Sequence, residues 1–167
     1  MKAKLIVDGK EFPIEIQDQE LQKLLASRKT GYERVDESQK YWYQASSGNV
    51  ERKSNMRDNV DAMYYSNANY YSDETIARNN ARADKLMRQL RRFAVEHREQ
   101  EIDWNSKVQN KFSILYDYSD NEIAVERDIY GRYHGIVYFD SIEAARLAIE
   151  TFHDELIWYF TEYKDSL

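Results

Sequence analysis

The chain has 167 residues, 14% of them aromatic, and its 24 basic and 30 acidic side chains give a formal net charge of −6. It has no cysteine, which excludes thiolate metal sites and argues against a disulfide-stapled secreted scaffold. No apolar run reaches the roughly 18–20 residues of a membrane-spanning helix, and the aromatic content is far above that of disordered chains. We therefore expect a folded, cytoplasmic α+β protein with no membrane partner.

Residues 1–31 predict a β-hairpin followed by a short helix. Two runs of strand-forming residues flank Asp8-Gly9, a pair that tolerates positive φ in a two-residue turn. Pro13 cannot donate a hydrogen bond to a ladder, so its strand is expected at a sheet edge. The helix is expected from Asp18 to about Arg28.

Residues 32–98 and 111–167 predict the same antiparallel β-β-β-α unit used twice. In each unit a hairpin, with its turn at residues 46–49 or 119–121, is followed by a loop and a third strand. The third strand, Asn69-Tyr70-Tyr71 or Ile136-Val137-Tyr138-Phe139, leads into a long amphipathic helix. The helix starts also align, since both have an aromatic residue, a capping residue and an Ala-Arg pair at matching offsets. Two such units could share one core and form one domain. The alternative is that any strand-to-helix junction gives this alignment.

The two long helices are predicted from their caps and their apolar stripes. The first spans residues 73–98, and its apolar positions are Ile76, Ala83, Met87, Leu90 and Ala94. The second runs from Ser141 to about Tyr163, and its apolar positions are Ala145, Ala148, Ile149, Phe152, Leu156 and Tyr163. Trp158 falls roughly opposite the second stripe, on the acidic side of the helix.

Charge divides unevenly between the two halves and suggests two candidate surfaces. Residues 1–98 carry a net charge of +3, and residues 99–167 a net charge of −9. An acidic patch with an aromatic anchor could bind a partner protein in place of nucleic acid; its predicted members are Asp154, Glu155, Trp158, Glu162 and Asp165.

The basic face of helix 73–98 could instead contact a nucleic-acid backbone; its predicted members are Arg78, Arg82, Lys85, Arg88 and Arg92. Ordinary explanations stay open for both surfaces. The basic face could be a solvated helix face that neutralises the acidic second unit, and the acids could serve solubility.

The sequence contains no motif typical of a known kind of catalytic, metal-binding or phosphate-binding site. The histidines His97, His134 and His153 are isolated, with no metal-ligand spacing, and the five glycines form no phosphate-binding loop. No serine lies in a nucleophile elbow, and no carboxylate pair has a partner that would tune its pKa for acid–base work. We expect no catalytic residue, no metal and no cofactor, and a protein that is not an enzyme.

Several segments resemble small uncharacterised accessory proteins of phages and prophages of Firmicutes bacteria. The matching segments are LIVDGK (5–10), TGYERV (30–35), ARADKLMRQLRRFA (81–94), DWN (103–105) and DELIWYFTEYK (154–164). The resemblance implies a phage-derived protein in a bacterial host, and by association an anti-defence or anti-CRISPR-type inhibitor of a host protein or ribonucleoprotein complex. It assigns no functional residue. The alternatives are a nucleic-acid-binding module using helix 73–98, or a structural component of a virion or oligomer; the sequence leaves any homo-oligomeric state open.

Overall fold

The computed structural model describes residues 2–7, 10–15, 19 and 29–165. Within them the fold is α+β, as predicted, with three two-stranded antiparallel sheets and three helices. The strands are β1 (Lys2–Val7), β2 (Lys10–Glu15), β3 (Lys40–Gln44), β4 (Val50–Ser54), β5 (Lys111–Asp117) and β6 (Glu122–Asp128). The helices are α1 (Asn59–Ser66), α2 (Glu74–Glu96) and α3 (Ile142–Thr161).

The N-terminal hairpin is confirmed by the register of its strands. Lys2 lies opposite Glu15 and Val7 opposite Lys10, which places Pro13 opposite Lys4 in a sheet of only two strands. The Asp8-Gly9 turn lies outside the described residues. So does the helix predicted from Asp18 to Arg28, apart from the single position Gln19.

The two later hairpins form where the sequence predicted them. β3 and β4 are joined by a turn in which Gly48 has a φ of +86°, and β5 and β6 by one in which Asn121 has a φ of +55°. Glycine and asparagine adopt these left-handed conformations more readily than other residues do. Turn chemistry therefore fixed both hairpins.

The predicted third strands are wrong: a single β-bridge takes the place of each one. Trp42 pairs with Tyr71, and Phe112 with Phe139, in each case through two backbone N–H···O bonds of 2.8–2.9 Å. Just before the two bridging segments the chain turns at Ala68 (φ +54°) and Gly135 (φ +79°). These left-handed residues interrupt the extended conformation that a strand needs, so each sheet stops at two strands.

A side chain continues the first sheet beyond its bridge. The carboxamide of Asn69 accepts a hydrogen bond from the Gln44 backbone N–H (2.7 Å) and donates one to the Gln44 carbonyl oxygen (2.8 Å). An asparagine amide offers the same donor and acceptor as a peptide group. It therefore satisfies the end of β3 as a neighbouring strand would.

Helix α1 lies in a segment that the sequence analysis treated as a loop. The side chain of its N-cap residue, Asp58, accepts from the backbone N–H of Asp61, and the side chain of Asp61 accepts from the N–H of Asp58. This is a capping box with aspartate in place of the usual Glu or Gln at its third helical position.

Helix α2 begins as predicted, with the Asp73 side chain accepting from the N–H of Ile76 (3.0 Å). Its first half packs on β3 and β4, and its second half on α3. The predicted stripe is buried except at Met87, which is half-buried. The two halves of α2 therefore join the first of these hairpins to α3.

Helix α3 also begins as predicted, at the N-cap Ser141, but it is not continuous. Phe152 has non-helical dihedral angles (φ −115°, ψ 20°), which kink the helix. Trp158 was predicted on the polar side and is instead buried, with 8% of its surface exposed. The predicted apolar position Leu156, also beyond the kink, is buried as well, so this half of the helix is covered on two sides, which a single apolar stripe does not describe.

Candidate functional site

The two candidate surfaces meet at one junction between α2 and α3. Arg82, from the predicted basic face, forms a two-pronged ion pair with Glu155 of the predicted acidic patch, at 2.8 Å (Nε–Oε2) and 3.2 Å (Nη2–Oε1). The guanidinium of Arg82 also lies over the indole of Trp158, 3.9 Å from the ring centroid. The junction is thus a cation held between a carboxylate and an aromatic face.

Trp158 is packed into this junction rather than presented to solvent. Its ring lies 5.7 Å from that of Tyr163, whose hydroxyl donates to the side-chain oxygen of Asn80 on α2 (3.0 Å). Burial raises the pKa of Tyr163 to about 12. Trp158 and Glu155 therefore hold the two helices together.

The other predicted acidic residues remain on the surface. Asp154, Glu162 and Asp165 are exposed, and among the described residues no lysine or arginine nitrogen lies within 4.0 Å of their carboxylates. Asp154 has one close partner, the imidazole Nδ1 of His153 at 3.1 Å. The acidic patch thus loses its aromatic anchor to burial and one carboxylate, Glu155, to the ion pair with Arg82, and keeps three carboxylates in solvent.

Most of the predicted basic face is paired with carboxylates. Arg78 contacts Glu74 at 2.7 Å, and Arg92 contacts Glu96 at 3.3 Å, each one helical turn away. Pairs this exposed contribute about 0–1 kcal/mol each, and they offset the charge that a phosphate would meet. Within the described part of the chain, Lys85 and Arg88 have no carboxylate within 4.0 Å.

A groove of about 580 Å³ runs beside the junction, at the kink of α3. Arg82, Lys85 and Gln89 form one wall, and residues 150–155 form the other. The groove is polar and carries both signs of charge. Among the residues that line it, none is a nucleophile paired with a base.

Sequence analysis did not identify the buried carboxylate of Asp61. It accepts hydrogen bonds from the Tyr41 hydroxyl (2.8 Å) and the Met56 backbone N–H (2.7 Å), and it contacts the Lys53 ammonium. Burial raises the pKa of Asp61, but the hydrogen bonds from Lys53, Tyr41 and the backbone outweigh it and lower the pKa to about 2. Through these contacts the carboxylate joins β3, β4 and α1. Because it is fully buried, it does not face a ligand.

The described residues contain no group of three or more potential metal ligands and no helix long and apolar enough to cross a membrane. Searches of family models, curated proteins and solved structures found no match to this chain.

Proposed function

We propose that the chain is a non-enzymatic binding protein whose acidic face on α3 engages a basic, nucleic-acid-contacting surface of a partner. The observation that carries the proposal is a row of exposed carboxylates, Glu143, Glu150 and Asp154, spaced seven and four residues apart along α3. Such spacing puts Glu143 and Glu150 on one side of the helix before the kink, and Asp154 follows just after it.

Two further exposed carboxylates, Glu162 and Asp165, follow the last residue of the helix. The exposed Arg146 lies about one helical turn from Glu143 and from Glu150 but makes no ion pair within 4.0 Å among the described residues. Charge complementarity of this kind speeds association and selects a basic partner.

The resemblance to phage accessory proteins supports a host nucleic-acid-processing or defence complex as the partner, with the chain acting as its inhibitor. A phage protein that occupies a basic groove would exclude nucleic acid from it. The structure restricts where such contact can occur, because Trp158 and Glu155 are engaged in the junction with Arg82.

Charge reversal tests the proposal. Glu150→Lys, Asp154→Lys and Glu162→Lys together should abolish capture of a partner from lysate of a Firmicutes host and release of nucleic acid from that partner. The control is a triple variant with the same change of charge: Asp120→Lys, Glu122→Lys and Glu126→Lys, at β6 and the turn before it. Capture and release that survive in a folded α3 variant would refute the acidic face as the binding surface.

A second candidate is nucleic-acid binding by α2, favoured by Lys85 and Arg88, which have no carboxylate within 4.0 Å among the described residues. It predicts a salt-sensitive mobility shift that Lys85→Glu with Arg88→Glu removes. No shift at low salt would exclude it. A structural role in a virion or oligomer is the third alternative, and a solution mass equal to one chain would argue against it.

A further inference from the structure

A cleft of about 340 Å³ lies at the C-terminal end of α2, and none of the residues that line it belongs to the acidic face. Three arginines line it, Arg91 and Arg98 from the helix end and Arg132 from the loop after β6, together with Trp104 of the connecting segment. None of these arginines belongs to the predicted basic face. The cleft brings together cations from two parts of the chain 41 positions apart.

Trp104 is held in place from several sides. The ring of Tyr138 meets it edge-on at 5.0 Å, and the Lys111 ammonium lies 5.7 Å from its centroid. Lys111 is 1% exposed, and its ammonium donates to the carbonyl oxygens of Gln109 (3.1 Å) and Ile129 (2.9 Å). The indole is therefore positioned before any ligand arrives, which reduces the entropy lost on binding.

Positive charge in the cleft exceeds the negative charge around it. Arg98 pairs with Glu101 at 3.0 Å, whereas Arg91 and Arg132 have no carboxylate within 4.0 Å among the described residues. The end of a helix adds about half a negative charge. Three guanidinium groups against one carboxylate and this half charge leave a net positive cleft on a chain of charge −6.

The lining combines guanidinium groups with exposed apolar surface. Val95 is 62% exposed, Ile136 40% and Trp104 36%, and the Arg132 guanidinium lies 4.6 Å from the Trp104 ring centroid. Guanidinium forks match phosphate oxygens, and aromatic and apolar side chains accept the face of a base. The volume is at the lower end of the roughly 300–1,000 Å³ of small-molecule pockets.

We propose that this cleft binds a nucleoside phosphate, either a free nucleotide or one link of a single strand, with Arg91 and Arg132 on the phosphate and the Trp104 side on the base. The residues that line the cleft are all different from those of the acidic face of α3.

Calorimetric titration at low salt tests the proposal with adenosine 5′-monophosphate, adenosine, inorganic phosphate and a short oligothymidylate. We compare the wild-type chain with Arg91→Gln/Arg132→Gln. The control is Lys40→Gln/Arg127→Gln, which removes the same charge from exposed strand positions. Circular dichroism checks that both variants fold.

We expect saturable binding of the mononucleotide, tighter than that of adenosine or phosphate alone. The double variant should weaken it about a hundredfold, because each charged hydrogen bond contributes about a factor of ten. The control should change it less than about twofold. Tighter binding of the oligothymidylate, lost in the same variant, would identify a strand as the source of the phosphate; tighter binding of the mononucleotide would identify a free nucleotide.

Three results would overturn the proposal. These are no saturable binding of either nucleotide probe, binding of inorganic phosphate as tight as that of the nucleotide, and an equal loss in the control variant.

Discussion

Replacing Trp158 by alanine tests how α2 and α3 are joined. The side chain is almost fully buried. Truncating a buried tryptophan removes favourable transfer free energy and leaves a cavity, at a cost of about 3–5 kcal/mol. The ion pair of Arg82 with Glu155, whose side chains are 43% and 42% exposed, contributes at most about 1 kcal/mol. Trp158→Ala should therefore lower the free energy of unfolding several times more than Glu155→Gln.

Urea unfolding followed by far-ultraviolet circular dichroism measures both changes. Trp158→Phe keeps an aromatic face beneath the guanidinium and should recover part of the loss. A double-mutant cycle of Arg82→Ala and Trp158→Ala should give a coupling free energy of about 0.5–2 kcal/mol, the range for a cation on an aromatic ring. If Trp158→Ala cost less than about 1 kcal/mol, the indole would not be packed as described here, and Trp158 would again be available as a surface anchor.

Three further predictions concern the first half of the chain. Asp61→Asn should make the free energy of unfolding less dependent on pH below pH 4. The native pKa of Asp61, about 2, lies below the ordinary 3.8, so about 2 kcal/mol of stability is present above pH 4 and is lost as the pH falls toward 2. Urea unfolding at a series of pH values tests this, and an equally steep loss of stability in the variant would contradict it. Gly31→Ala should cost about 2–4 kcal/mol, because φ is +93° and a Cβ would lie 2.8 Å from Ile76 Cγ1. Gly48 has a φ of +86° and open space around it, so Gly48→Ala should cost only about 1–2 kcal/mol. Urea unfolding of both glycine variants tests this, and equal losses of unfolding free energy would refute the steric argument. Asn69→Ala should cost about 1–3 kcal/mol by leaving two backbone groups of β3 without partners, and faster hydrogen exchange at the end of β3 would show it.

Local signals predicted much of the fold because they act over a few residues. Asp73 and Ser141 cap their helices as expected, since a side-chain oxygen three positions before a free N–H suffices. The hairpin turns followed from Gly48 and Asn121 in the same way. The capping box of α1 was missed because its third helical position carries aspartate and the helix has only eight residues.

The candidate site was less predictable because it depends on long-range geometry. Arg82 and Glu155 are 73 positions apart, and no local spacing rule relates them. Trp158 is buried against Arg82 of α2, 76 positions away in the chain. The kink at Phe152 is likewise not signalled, because α3 contains no proline or glycine. The sequence predicted the residues on both candidate surfaces. Neutralisation of the acidic second unit by the basic face of helix 73–98 was only an alternative.

The two-stranded sheets leave outer strands that pair with no other strand among the described residues. Unpaired backbone N–H and C=O groups on such strands can recruit a second chain and start aggregation. Here the exposed positions of β4 and β6 are charged: Glu51 and Arg52 on the first, Glu122, Glu126 and Arg127 on the second. A strand added at either edge would crowd or desolvate these charges. Charge at these positions therefore opposes edge-to-edge pairing with a second chain at the two hairpins whose sheets stop at two strands.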